Sequence, residues 1–331
     1  MIITRTPFRI SFFGGGTDYP LWFSEHGGSV LSTTINKYCY ITCRLLPPFF
    51  EHKHRIVYST IESVLFIKDI KHPSVRNVLQ WAKVEEGLEI HHNGDLPARS
   101  GLGSSSAFTV GLTHALHCLR GQMVSKSTLA KNAIHIEQDL IGENVGSQDQ
   151  VAAAFGGFNR IDFHRDSTFN VYPVIIPIQR RNELLDHLML CFTGLSRIAD
   201  QIAKSQLINF KARENELQRM YEMVDEAISI LGNSTISIDE FGRLLDQSWK
   251  YKRSLSDQVS TPEIDYIYDQ ALLAGAIGGK ILGAGGGGFL LLFAKPDKHA
   301  AIRERLRHLV HVSFNFDDSG SRVVLFQPND L

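Results

Sequence analysis

The sequence predicts an α+β fold. Strand-like alternation dominates the opening residues, amphipathic helical stretches follow, and strands and helices then mix without a repeating βαβ order. A doubly wound parallel sheet needs that repeat, so it is disfavoured. At 331 residues the chain suffices for one large domain or two medium ones. Strands near residues 170–185 hand a helical block over to a second half, so we divide the chain into 1–175 and 176–331.

The elements follow in order. "RISFF" alternates after Pro7, which suits a strand start. "SVLSTTINKYCYITCRLL" reads as one long, bent strand, and "RIVYS" as another. "LEIHHNGDLP" ends in a turn. "AFTVGLTHALHCLRG" is a helix closed by Gly121. "STLAKNAIHIEQDLIG" is a second helix, capped by Ser127 and closed by Gly142. "FNRIDF", "FNVYPVIIPI" and "LDHLMLCFTG" read as strands. The pattern from Ile198 to Leu231 is one amphipathic helix. Thr261 and Pro262 sit at the N-cap and first position of another. Strands "KILGA" and "FLLLFA", helix "KHAAIRERLRHL" and strands "VHVSFNF" and "RVVLFQ" complete the chain.

Composition excludes several classes. Hydrophobic content of 43% and charged content of 21% describe a soluble globular protein. A formal net charge of −1 offers no field for nucleic acid or a membrane surface. The first residues lack a signal-peptide pattern and no apolar run is long enough to span a bilayer, so a cytoplasmic location is expected. Cys39, Cys43, Cys118 and Cys191 form no C-x-x-C pair and read as small core residues in a reducing compartment.

Three glycine runs carry the chemistry. "SGLGSSSA" (100–107) precedes a helix, and its backbone N–H groups then form an anion site at the helix N-terminus. The same letters also suit a plain turn and N-cap. No P-loop string occurs, and the dinucleotide fingerprint is broken by serine at its third glycine. "GAGGGG" (283–288), between two apolar strands, is either a tight hairpin or a support for the first loop. "GGGT" (14–17) is a turn by default. "HRD" at His164–Asp166 lacks the other protein-kinase signatures and reads as a surface turn.

Two carboxylates are unusual. Glu137 falls within the apolar stripe Ala130, Ala133, Ile134, Leu140, Ile141. Burying its charge requires an arginine, a lysine or a hard metal, unless the side chain reaches water at the stripe's edge. Asp149 follows a possible S-x-x-Q capping box at Ser147 and Gln150. It is either a first-turn carboxylate favoured by the helix dipole or a general base. Arg9 on the first strand is either its cation or an ordinary strand arginine. Together, anion loop, metal carboxylate, base and cation are the parts of a phosphoryl-transfer site.

"TPFRISFFGGGTDY", "LPARSGLGSSSA" and "KILGAGGGGFLLLF" resemble, in order, the three motifs of the GHMP kinases, which include galactokinase, homoserine kinase and mevalonate kinase. The resemblance implies a two-domain α+β fold with the active site between the domains. It implies ATP held by Arg99, Ser100, Gly101, Leu102, Gly103, Ser104, Ser105 and Ser106, supported by Gly285 and Gly286, and Mg²⁺ held by Ser105 and Glu137. Asp149 would take the acceptor's proton, with Arg9 orienting it or stabilising developing charge. Gly15, Gly16, Thr17 and Asp18 would face a sugar.

Galactokinases carry Glu-His where Gly15 and Gly16 stand, so a bulkier acceptor has room. The branch most resembled acts on D-glycero-D-manno-heptose 7-phosphate in GDP-heptose synthesis, with fucokinase-type enzymes sharing part of the pattern. A phosphorylated acceptor needs cations, which Arg197, Lys252 and Arg253 would supply. A non-catalytic sugar and ATP sensor is the reading from another class; the retained Asp149 and Arg9 argue against it.

Overall fold

The computed structural model describes residues 1–98, 100–195 and 199–327. The chain opens with β1 (Ile2–Phe13), α1 (Pro20–His26), β2 (Gly28–Leu45), β3 (His54–Val57), β4 (Ile61–Val64), α2 (Pro73–Trp81) and β5 (Leu88–Gly94). Helices α3 (Ser104–Leu119), α4 (Lys126–His135) and α5 (Gln148–Phe155) come next, then β6 (Phe158–Phe163) and β7 (Phe169–Pro173). The second half holds α6 (Ile178–His187), β8 (Leu188–Phe192), α7 (Ala199–Asn209), α8 (Glu214–Gly232), α9 (Asp239–Ser254) and α10 (Pro262–Leu273). It closes with β9 (Ala276–Ile281), β10 (Phe289–Ala294), α11 (His299–Arg305), β11 (Val310–Val312), β12 (Phe316–Asp317) and β13 (Arg322–Phe326).

Nine strands form one sheet, in the order β13-β1-β2-β5-β3-β4, with β6 and β12 also on β2 and β7 on β6. Four form a second, β11-β8-β10-β9. The long strand expected from the sequence is β2: its start pairs with β6 and its end with β5. Strand β1 begins at Ile2, before Pro7. Pro7 lacks an N–H for the ladder, and the register on β2 shifts between Pro7 and Phe8.

A large core joins Ile10, Phe12, Leu31 and Ile41 of the first sheet to Val110 and Leu112 of α3. A smaller one surrounds the second sheet with Cys191, Trp249, Tyr268, Ile281 and Leu292. Helix α9 serves both: Phe241 stacks edge-on against Phe13 with centroids 5.1 Å apart, while Trp249 lies in the second core. Burying a side chain of this size contributes roughly 1.5–3 kcal/mol. Helix α9 is thus a wall common to both cores.

Several expectations change. Within residues 176–331, β12 pairs with β2 and β13 with β1, so the last strands join the first sheet. Helix α4 is capped by Ser125, whose Oγ accepts from Thr128 N–H at 3.0 Å, and not by Ser127. It passes into a π-helical turn at Ile136–Ile141. The amphipathic stretch to Leu231 is broken by a 3₁₀ turn at Phe210–Arg213. "LDHLMLCF" begins as the end of α6 and becomes a strand only at Leu188. Helices α1 and α2 escaped notice although each starts with a proline at its first position, a readable signal. All four cysteines are free; Cys118 is only half-buried, whereas burial pushes the Cys43 thiol up to about 12. Among the described residues no helix is long and apolar enough to cross a membrane.

Candidate active site

Arg9 projects from β1 and Asp149 from the first turn of α5. They form a two-pronged ion pair: Nε donates to Oδ1 and Nη2 to Oδ2, both at 2.7 Å. Such fork-on-fork pairs are strong and fix orientation. Arg9 is 4% exposed and Asp149 25%, so the carboxylate remains accessible while its partner is buried. Arg9 Nη1 also donates to the Gly101 carbonyl at 2.6 Å, and Arg9 N–H to that of Leu102 at 3.0 Å. The ion pair is thereby tied to the glycine–serine loop.

That loop leads into α3, whose N-cap Gly103 offers no side-chain cap. The positive end of the helix, with no side chain capping it, suits an anion. The loop is braced from behind. Phe289 N–H donates to the Ser100 carbonyl at 3.1 Å, and a β-carbon on Gly101 would fall 2.3 Å from the Leu282 carbonyl oxygen. Residues 282–289 therefore support the loop by backbone contact. Gly286 N–H is already taken by Val259 O at 2.8 Å, so the tip residues Gly285 and Gly286 lie against that segment. Leu102 contributes only its backbone, since its side chain is in the core.

Glu137 is fully buried. The serine that reaches it is Ser106, donating to Oε2 at 2.8 Å; Ser105, expected to share a cation with it, is exposed in the same turn. Successive helical residues point about 100° apart, so one position decides which serine faces inward. Gln150 also donates to Oε2, so the Ser147–Gln150 capping box does not form. Burial pushes the Glu137 carboxyl up to about 7, an effect that its hydrogen bonds only partly offset.

Among the described residues Glu137 Oε1 accepts no hydrogen bond of good geometry, although the nearby Thr109 hydroxyl lowers the carboxyl. Such a buried hard oxygen beside a serine fits a hard divalent cation. Among the described residues no cluster of three or more His, Cys, Asp or Glu could hold one alone. Mg²⁺ suits such a site because it takes one or two carboxylates and draws its other ligands from water and phosphates. When bound it would neutralise developing charge.

Asp18 is buried and joins two segments. Its Oδ1 accepts from Gly16 N–H at 2.9 Å and its Oδ2 from Gln148 N–H at 3.3 Å. Gly146 is required beside it, since a β-carbon there would lie 1.9 Å from Oδ2. Burial raises its carboxyl above the usual range, and the Asp149 charge adds to the rise. Thr17 spends its hydroxyl inside the turn, on the Gly14 and Ser29 carbonyls at 2.8 and 3.0 Å, so it shapes the loop and does not face a ligand.

The expected cation pair splits. Lys252 is buried, donates to the Gly283 carbonyl, and is pushed down to about 8 by burial, with Arg9 adding to the shift and the Asp18 and Asp149 charges opposing it. Arg253 turns outward to Asp265 at 3.1 Å. Arg99 and Arg197 lie outside the described residues. One buried cation escaped notice: Lys280, whose Nζ donates to Phe12 O at 2.9 Å. Burial holds it well below the ordinary lysine value, with Lys252 and Arg9 contributing. A lysine inside the apolar strand "AIGGKI" was the available signal.

Among the described residues the site thus brings together a carboxylate held by arginine, a helix N-terminus without a side-chain cap, a buried carboxylate with one oxygen lacking a geometric hydrogen bond, and two lysines that donate to carbonyls. This set can bind a polyphosphate, hold a cation and take a proton from a hydroxyl.

Family models agree. Residues 67–157 match the GHMP kinases N terminal domain and residues 234–311 the GHMP kinases C terminal domain. The chain is 32% identical to a D-glycero-alpha-D-manno-heptose 7-phosphate kinase of Campylobacter jejuni, across 92% of this chain and 93% of that one. It is 27% identical to the L-fucokinase/L-fucose-1-P guanylyltransferase of Bacteroides fragilis, across 91% of this chain and 35% of that protein. A crystal structure of a D-glycero-D-manno-heptose 1-phosphate kinase from Bacteroides thetaiotaomicron superposes with a TM-score of 0.80 at 23% identity, over 99% of this chain and 100% of that one. Site geometry, matched domains and near full-length similarity lead to one conclusion: the chain belongs to the GHMP kinase family.

Proposed function

We propose that this kinase transfers the terminal phosphoryl group of ATP, with Mg²⁺, to the anomeric C1 hydroxyl of a sugar phosphate, D-glycero-D-manno-heptose 7-phosphate, giving the 1,7-bisphosphate. The observation that carries the reading is the Arg9–Asp149 pair tied to the phosphate loop. Asp149 takes the C1 hydroxyl proton, and Arg9 orients it. The first turn of α3 holds the phosphates through backbone N–H groups, and Glu137 with Ser106 or Ser105 holds the metal. The choice of sugar draws on similarity to the Campylobacter jejuni heptose 7-phosphate kinase.

A second reading, an unphosphorylated sugar as acceptor, is favoured by one observation: Arg253 faces Asp265, which leaves Lys252 as the inward cation of that pair. A nucleotide-release assay with heptose 7-phosphate, free heptose, L-fucose and D-galactose separates the two. We expect the highest kcat/KM with heptose 7-phosphate, and Lys252→Met to raise KM for it by about 10- to 150-fold, as loss of a charge-assisted hydrogen bond implies. Equal kcat/KM for heptose with and without its phosphate would overturn the heptose-phosphate reading.

A further inference from the structure

Two buried polar atoms near Asp18 have no hydrogen-bond partner among the described residues: Ser11 Oγ and Gln148 Oε1, in residues only 5% and 8% exposed. Both side chains border the Gly15 turn. A β-carbon on Gly15 would lie 3.7 Å from Ser11 Oγ and 3.6 Å from Gln148 Nε2. That turn adjoins the catalytic pair in both directions along the chain. Ser11 stands two residues beyond Arg9 on β1 and so shares its face, and Gln148 directly precedes Asp149.

The chemistry of the two atoms is specific. The Gln148 side-chain amide lies close enough to the Asp18 carboxylate to lower its carboxyl. A carboxylate only accepts, so the amide nitrogen points there and Oε1 is the atom left over. An amide oxygen accepts and a serine hydroxyl donates or accepts. One neutral hydroxyl satisfies both at once, donating to Oε1 and accepting from Oγ. A phosphate, which has only acceptors at neutral pH, cannot satisfy Oε1. Buried polar groups left unpaired are costly, so a ligand that pairs them is selected over one that does not.

We propose that Ser11 and Gln148 are specificity-determining residues that hold one non-reacting hydroxyl of the acceptor, close to the hydroxyl that is phosphorylated, and that Gly15 keeps the space for it open. This rests on the reading of the protein as a sugar kinase.

Two variants on different elements test it. Ser11→Ala removes one partner. Gly15→Ala puts a methyl group into the space, at ordinary contact distances and without backbone strain, since Gly15 is not in the left-handed region. Each is assayed with the acceptor and with its single-deoxy analogues, one hydroxyl at a time. In the wild-type enzyme one deoxy position should lower kcat/KM by about 10- to 100-fold. Ser11→Ala should remove most of that penalty at that position alone, and Gly15→Ala should lower acceptor kcat/KM at least about 10-fold, both with KM for ATP unchanged. A residue that merely supports the fold would not erase discrimination at a single position. The same deoxy penalties in Ser11→Ala as in wild type, or full acceptor kcat/KM in Gly15→Ala, would overturn the assignment. If the wild-type enzyme accepts a sugar other than a heptose, the deoxy series of that sugar decides the pair by itself while the heptose reading fails. If it phosphorylates no sugar, both fall together.

Discussion

Glu137 and Asp149 are two carboxylates twelve residues apart that border the same phosphate loop, yet their surroundings oppose each other. Asp149 is partly exposed and gripped by a guanidinium. Glu137 is sealed from water, touched only by neutral donors, and half-protonated near neutrality. The first is paired with a cation of the protein itself; the second has only neutral hydrogen-bond donors around it. The difference supports the roles we propose for them. A base that accepts a proton in every turnover needs a stable charge and access to the acceptor. A metal ligand that must release product gains from a carboxylate that can give up its charge.

The comparison breaks most decisively at Asp149. Asp149→Asn keeps the shape and loses the base, so kcat should fall about 10²- to 10⁴-fold with ATP binding retained. Single-turnover rates and an ATP titration check both halves. A rate within a few-fold of wild type would leave Asp149 only the task of positioning Arg9.

Glu137→Gln should act through the metal. A neutral amide is a poor ligand for a hard cation, so the Mg²⁺ concentration for half-maximal rate should rise about 10-fold or more. An unchanged Mg²⁺ titration would reduce Glu137 to a buried acid bonded to Ser106 and Gln150.

The smallest effect sharpens the contrast without kinetics. The Glu137 carboxyl titrates near 7 in the folded protein, against 4.5 for the unperturbed group. A raised value means that the folded state binds the proton more tightly. The associated stability is fully present below about pH 4.5 and is lost as pH rises through about 7. The loss is about 3 kcal/mol at most, and it is flat above that range. Denaturant unfolding of the ligand-free protein across this window should show it, and Glu137→Gln should flatten the slope. Identical pH profiles for variant and wild type would show that the carboxyl is ionised throughout.

Much of the site was legible because it sits in local motifs. Arg9, Asp149 and the loop before α3 were candidates beside plainer structural readings until the three motifs drew them together, and burial of Glu137 was one of two readings of its stripe. What was hidden depends on rotation about an axis or on long-range contact. Ser106 and Ser105 differ by one helical step, and sequence does not say which turns inward. Gln150 looked like a cap for its own helix, but a buried carboxylate thirteen residues earlier is the better partner for its amide. Lys252 and Arg253 are neighbours in sequence and face opposite ways. The return of β13 to β1 follows from no local pattern: nothing in "RVVLFQ" says which sheet it will join.

The backbone contact between the two glycine segments bears on how the protein assembles. Ser100 is held by Phe289, which lies 189 residues further along the chain, and Gly101 is packed against Leu282. Closing so long a loop is entropically expensive and comes late unless earlier structure brings the ends together. The first nine-stranded sheet also waits for its C-terminal strand. Nucleotide affinity should therefore emerge at the end of folding, after β9 and β10 have paired. A chain truncated before residue 280 should fail to retain ATP even where α3 has formed, and a separately made C-terminal fragment should restore binding on mixing.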